Sequence, residues 1–316
     1  MNAPRLCDIY AARPRVYRVV RPTPLLKHPL LDRELGLEIH VKHENHNPTG
    51  AFKVRGGLNL IASLSAEERC GVITATTGNH GQSIALACLR ERVPCTIVVP
   101  LGNNPEKNAA MRAYGAELIE FGKDFDEARE KVERMVAERG LRYVHSANEP
   151  LLIAGVGTYG LEIFDEAPGV DVILVPIGGG SGAAGCCIVA KTVSPTVRVV
   201  GVQSEAAPAA YRSWKEGRPV EDVMETYAEG LATRVPFALP QQILRRLLDE
   251  FVLVSEDEIR AAQRTMIEAT RNLIEAAGAA PLAAALRLRE ETAGKHVALV
   301  ASGGNVSPGQ FVELFA

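Results

Sequence analysis

Short runs of aliphatic and β-branched residues recur along the chain, and between them apolar residues return every three or four positions. The runs LEIHVKHE (37–44), GVITATT (71–77), CTIVVP (95–100), AELIEFG (116–122), RYVHSA (142–147), DVILVPI (171–177), TVRVVGVQ (196–203), FVLVS (251–255) and HVALVAS (296–302) read as strands. Helical patterns such as GQSIALACLRERV and FDEAREKVERMVAERG lie between them. A third, SEDEIRAAQRTMIEATRNLIEAA, opens with a capping box, Ser255 with Glu258 three residues on. Alternation of this kind predicts βαβ units on largely parallel sheets. Nine strands exceed one comfortable doubly wound sheet, so two α/β domains are expected, with a cleft between them as the default place for a site. No low-complexity linker and no internal repeat marks the boundary.

Composition narrows the function classes. A chain of 316 residues with 47% hydrophobic content can bury a sizeable core. A net charge of -3 gives no reason to expect nucleic acid or an anionic membrane as partner. The cysteines, at 7, 70, 88, 95, 186 and 187, form no CxxC and no metal spacing, and most lie in apolar stretches. That suits reduced, buried thiols in a cytoplasmic protein. The start, MNAPRLCDIYAARPR, lacks the apolar core of a signal peptide, and no apolar run reaches the ~18 residues of a membrane span.

Glycine and lysine then mark candidate chemistry. In DVILVPIGGGSGAAG a buried strand runs into Gly178, Gly179, Gly180, Ser181 and Gly182 and then a helix, which is how backbone N–H groups and a helix dipole are offered to a phosphate. The same residues spell Gly180-x-Gly182-x-x-Gly185, with Glu205 about twenty residues on. This keeps open a nicotinamide-dependent oxidoreductase. The signal is weak, because Gly155-x-Gly157-x-x-Gly160 repeats the pattern where no strand precedes it. TATTGNHGQ ends a strand at Thr76 and Thr77 and opens a helix with Asn79 and His80, a place for a carboxylate. SGGN, from Ser302 to Asn305, ends the last strand. Lys53 stands between Phe52 and Val54, just after the turn Pro48-Thr49-Gly50. An amine, a phosphate cup, a carboxylate cradle and a hydroxyl together suit pyridoxal 5'-phosphate, which carries an aldehyde, a phosphate and a ring nitrogen.

PTGAFKVRGG, TTGNHGQ, GGGSG and SGGN, in this order and spacing, resemble the fold-type II pyridoxal-phosphate enzymes, specifically the threonine dehydratase and serine racemase group. The resemblance spans essentially the whole chain. It implies an α/β architecture of two open twisted, mainly parallel sheets flanked by helices, like the tryptophan synthase β chain. It also implies a small domain over 48–149 inserted into a large one formed by 1–47 and 150–316. By the same match, Lys53 is the cofactor's covalent anchor and Phe52 packs against the cofactor. Asn79 bonds its 3'-hydroxyl, Gly178, Gly179, Gly180, Ser181 and Gly182 hold its phosphate, and Ser302 faces its ring nitrogen. Thr76, Thr77, Asn79 and His80 grip the substrate carboxylate. The implied activity is β-elimination from a β-hydroxy amino acid such as L-threonine or L-serine, with Lys53 as the base. A homodimer or homotetramer is the implied assembly.

Departures from the family pattern sharpen the expectation. Ala51 stands where many dehydratases have serine, and Thr76-Thr77 where they show Ser-Ala or Ser-Ser. Thr77 occupies the position of the opposite-face acid of racemases, which keeps racemisation open. Gln203 stands where cation-binding members carry glutamate, so no metal is expected, although Glu205 is near. Glu275 matches an acidic position near the cofactor and equally reads as a helix N-terminal acid. The chain stops soon after SGGN, without the regulatory extension of biosynthetic members, which suggests a catabolic enzyme, including the hydroxyectoine-utilisation type. A non-catalytic binding protein of the same fold is the remaining alternative.

Overall fold

The computed structural model describes residues 2–316, the side chains of residues 34, 35 and 126 aside. Its strands in chain order are β1 (Leu25–Lys27), β2 (Glu38–His43), β3 (Val72–Ala75), β4 (Cys95–Val99), β5 (Glu117–Glu120), β6 (Arg142–Tyr143), β7 (Val172–Pro176), β8 (Arg198–Ser204), β9 (Glu250–Val254) and β10 (His296–Ala301). They form two sheets. The larger has the order β1-β2-β10-β7-β8-β9, and the smaller β5-β4-β3-β6. Every pairing is parallel except β1 on β2. Helices cover both faces, as parallel sheets require.

The side-chain alternation of a strand explains the continuous apolar runs. In β10, Val297, Leu299 and Ala301 enter the core on one face, and Ala298 and Val300 enter the core on the other. In β3, Val72 joins one core of the small sheet while Ile73 and Ala75 join the other. The capping box at Ser255 opens the helix Glu256–Thr270. Among the described residues no helix is long and apolar enough to cross a membrane.

Three elements depart from expectation. The strand expected over 142–147 pairs at Arg142–Tyr143 alone. Beyond it the backbone curls so that the amides of Ala147 and Asn148 both donate to Nδ1 of His145, at 3.1 Å each. The strand expected over 71–77 stops at Ala75, because the Thr76 hydroxyl accepts from the amides of Gly78 (3.0 Å) and Gly81 (3.2 Å) and turns the chain. The antiparallel edge β1, three residues after two prolines, carries no periodicity to read.

Candidate active site

Lys53 opens the helix Lys53–Ala62, and its turn is laced to the end of β10. The Phe52 amide donates to the Ser302 carbonyl at 3.0 Å and the Gly304 amide to that of Gly50 at 2.8 Å, while Ala51 bridges Gly303. The AFK and SGGN segments are thus one structural unit. From it the Lys53 amine reaches the start of another helix, Nζ donating to Ser181 Oγ at 3.1 Å and lying 5.3 Å from the centre of the Phe52 ring. Burial lowers its pKa from 10.5 to about 8. Near neutral pH the neutral amine is therefore far more populated than that of an ordinary lysine.

Two residues along the same helix, the fully buried Arg55 fixes how this turn sits. Its guanidinium bonds Glu44 at 2.7 and 2.8 Å and Glu162 at 2.6 and 2.8 Å. Lys42, also buried, meets Glu162 at 2.8 Å. Two forked contacts from opposite sides set both the rotation and the axial position of the Lys53 helix. Nothing in PTGAFKVRGG marks Arg55 for this role.

The glycine turn after β7 leads into the helix Ser181–Val193, with Gly180 left-handed at φ 83°. A Cβ at Gly178 would collide with the Gly230 carbonyl oxygen, and one at Gly182 would lie 3.0 Å from the Phe52 ring. The glycines bring backbone amides to this helix start with no side chain of their own in the way, as a phosphate needs. Amine, aromatic ring and glycine cup converge, so the residues present fit a flat phosphorylated aldehyde. Gly185, by contrast, is a packing glycine, since its Cβ would stand 2.8 Å from the Gly157 backbone nitrogen. The two Gly-x-Gly-x-x-Gly patterns meet there at a helix crossing. Glu205 pairs with Arg287 at 3.0 Å, so the ribose-binding arrangement of an oxidoreductase is not what these residues build.

Opposite the glycine cup lies the 76–80 loop. Asn79 donates to both Glu275 oxygens, at 2.9 and 3.2 Å, and accepts from Asn305 at 2.8 Å. Glu275 holds the N-cap position of the helix Ala276–Arg287, yet its side chain caps nothing and turns to Asn79. Burial raises its pKa against the pull of Lys107 and Asn79. Its amide donates to Gly303 at 3.0 Å, which joins this group to the Ser302 segment. Thr77 is exposed, while Thr76 is buried with its hydroxyl committed to the loop. His80 is buried and faces Thr74 at 3.0 Å; burial and the Lys53 charge push it down to about 3, so the ring is neutral.

Lys107 also belongs here, packing its methylenes on Gly78 and pairing with Glu229 across the cleft. Gln203 is hydrogen-bonded to the Tyr211 amide at 3.0 Å and to Thr233 at 3.3 Å. No set of three or more His, Cys, Asp or Glu side chains among the described residues gathers as metal ligands do.

The chain is similar to known proteins over most of its length. The family model described as "Pyridoxal-phosphate dependent enzyme" matches residues 16–303. An L-threonine ammonia-lyase of Geobacter sulfurreducens is 42% identical over 94% of this chain and 75% of its own length. The structure of the processed form of threonine deaminase isoform 2 from Solanum lycopersicum superposes with a TM-score of 0.93 at 32% identity, covering 98% of this chain and 91% of that one. Serine racemase from Dictyostelium discoideum gives 0.90 at 32% identity, covering 96% and 99%.

Proposed function

Because this chain belongs to the family of pyridoxal-phosphate-dependent enzymes, we propose that it is an ammonia-lyase converting a β-hydroxy amino acid such as L-threonine or L-serine into a 2-oxo acid and ammonia. The observation that carries this reading is the Lys53 amine, lowered to about 8 and held 3.1 Å from the serine of the glycine cup. Relatives named for L-threonine, 42% and 40% identical to this chain, supply the substrate class.

Bound pyridoxal phosphate supplies an aldehyde for the substrate amine and a conjugated ring that accepts electron density from Cα. The chain's residues do the rest. Lys53 would anchor the cofactor at rest and, once released, would take the Cα proton as a base of suitable pKa. Phe52 backs the ring, Gly178 to Gly182 seat the phosphate, and Asn79, steadied by Glu275 and Asn305, bonds the 3'-hydroxyl. Ser302 would offer the ring nitrogen a neutral hydroxyl rather than a carboxylate. Thr76, Thr77 and the backbone at Asn79 and His80 receive the substrate carboxylate.

The partition into a large domain (1–47 and 150–316) and an inserted small one (48–149) belongs to the same proposal. It is supported by the small sheet's lying wholly between β2 and β7 in the chain. A cytoplasmic enzyme fits the free thiols of Cys88, Cys95, Cys186 and Cys187. Association into a homodimer or homotetramer fits the exposed apolar side chains of Phe311, Val312 and Phe315.

A panel of L-threonine, L-serine, 3-hydroxyaspartate, phenylserine and hydroxyectoine-derived amino acids, read by 2-oxo acid and ammonia, tests the reading. Release from at least one member supports it, and cofactor binding without release from any contradicts it. Exposed Thr77 and the racemase neighbour favour one second activity, which chiral analysis of residual serine in the same assay would detect.

A further inference from the structure

At the end of β6 the backbone folds over the ring of His145, and its Nδ1 accepts two amides, those of Ala147 and Asn148, at 3.1 Å each. A ring nitrogen that accepts two N–H groups carries no proton, so the neutral ring holds its proton on Nε2. Burial, with Arg129 and Lys53 adding to it, pushes the imidazole down to about 4. The ring is neutral at pH 7 and Nε2–H needs an acceptor. What it faces at 3.3 Å is Nδ2 of Asn148, another donor. Turning that amide over does not help, because Asn148 Oδ1 takes the Leu239 amide at 3.1 Å. Among the described residues three donors share one oxygen, and no protein acceptor is left for Nε2–H.

The spot lies on the rim of the site. The His145 ring meets the edge of Phe237 with centroids 4.9 Å apart, and Phe237 covers Gly179 of the glycine cup. The Val144 carbonyl takes the Thr74 hydroxyl at 2.7 Å, and Thr74 holds His80 at the other loop. Since β3 and β6 run parallel, the loops after them open on the same side. His145 itself is partly open.

We propose that Nε2–H of His145 donates to the β-hydroxyl oxygen of the substrate and is a catalytic residue for breaking the Cβ–O bond. The proposal rests on the ammonia-lyase reading above. The step closes on itself: the Cα–H proton goes to Lys53, the Cβ–O electron pair goes to oxygen, and a Cα–Cβ double bond forms. Lys53 then returns its proton to that oxygen, which leaves as water. His145 keeps its own proton and stabilises the charge growing on oxygen, as a fixed donor aimed at developing charge does. The phosphate of a bound cofactor would be the other acceptor at this cup.

Holoenzyme carrying His145→Asn separates these cases, because an asparagine oxygen replaces Nδ1 for the two amides while the Nε2 donor is lost. L-serine and β-chloro-L-alanine are compared, since chloride leaves as an anion without help. The kcat for L-serine should fall on the order of 10²-fold, the loss typical of one such donor, with β-chloro-L-alanine turned over at near the wild-type rate. His145→Gln, whose amide nitrogen falls near Nε2, should recover part of the loss. In spectral titration the preference for binding L-serine over L-alanine should fall in His145→Asn, with cofactor affinity unchanged. Equal losses on both substrates, or none, would overturn the proposal. Weakened cofactor binding would assign the donor to the phosphate instead. If the wild type releases 2-oxo acid from neither compound, the ammonia-lyase reading fails, and the L-serine against L-alanine titration still decides for or against His145.

Discussion

At the scale of single residues, Lys53 is governed by desolvation, which disfavours its ammonium form and brings the pKa to about 8. Below that value the amine is protonated and cannot attack an aldehyde; above it the neutral form dominates. Capture of pyridoxal phosphate by the cofactor-free protein should therefore quicken as pH rises through about 8, and a stopped-flow absorbance series would show a midpoint near 10.5 if the lysine were ordinary. Lys53→Ala should lose both the visible absorbance of the bound cofactor and all 2-oxo acid formation, while circular dichroism stays native. Lys53, Asn79 and Ser302 were legible as residues because each sits in a short motif at a strand or helix end. His80 was legible only as a position, since nothing in GNH says that the ring would turn inward to Thr74 at 3.0 Å.

At the scale of elements, the glycine turn after β7 and the Thr76 turn after β3 do comparable work by different means. The first was readable because an apolar run followed by five small residues has few other uses. The second ends its strand earlier than the apolar run suggests, through a hydroxyl that accepts two amides at 3.0 and 3.2 Å. Thr76→Val removes that acceptor and leaves two buried N–H groups unmatched, a cost of about 1–3 kcal/mol for each group left unsatisfied. It should raise KM for the amino acid more than it lowers cofactor affinity, which steady-state kinetics and cofactor titration together would show. Gly178→Ala should do the reverse, because a Cβ there meets the Gly230 carbonyl and displaces the phosphate cup. The expected strand over 142–147 failed for a local reason, the His145 ring outcompeting the ladder for backbone donors.

At the scale of the whole molecule, the helix Lys53–Ala62 is tied to the end of β2 and to the helix Thr158–Glu166 by a seam of buried charge. Arg55, Lys42, Glu44 and Glu162 are each 0–1% exposed and balance two positive against two negative groups. Sequence could not disclose this, because Arg55 finds its partners 11 and 107 residues away. Arg55→Met should leave a buried carboxylate uncompensated and cost about 3–5 kcal/mol, seen as a large fall in Tm. Arg55→Lys keeps the charge and loses the forks, so it should cost less. The most direct measurement of the central claim is 2-oxo acid release from L-threonine by the purified, pyridoxal-phosphate-loaded protein and by its Lys53→Ala form. The account predicts 2-oxobutyrate and ammonia in equal amounts from the first and none from the second. Cofactor-loaded protein that releases neither from L-threonine, L-serine or any other β-hydroxy amino acid, or a Lys53→Ala form as active as the parent, would contradict it.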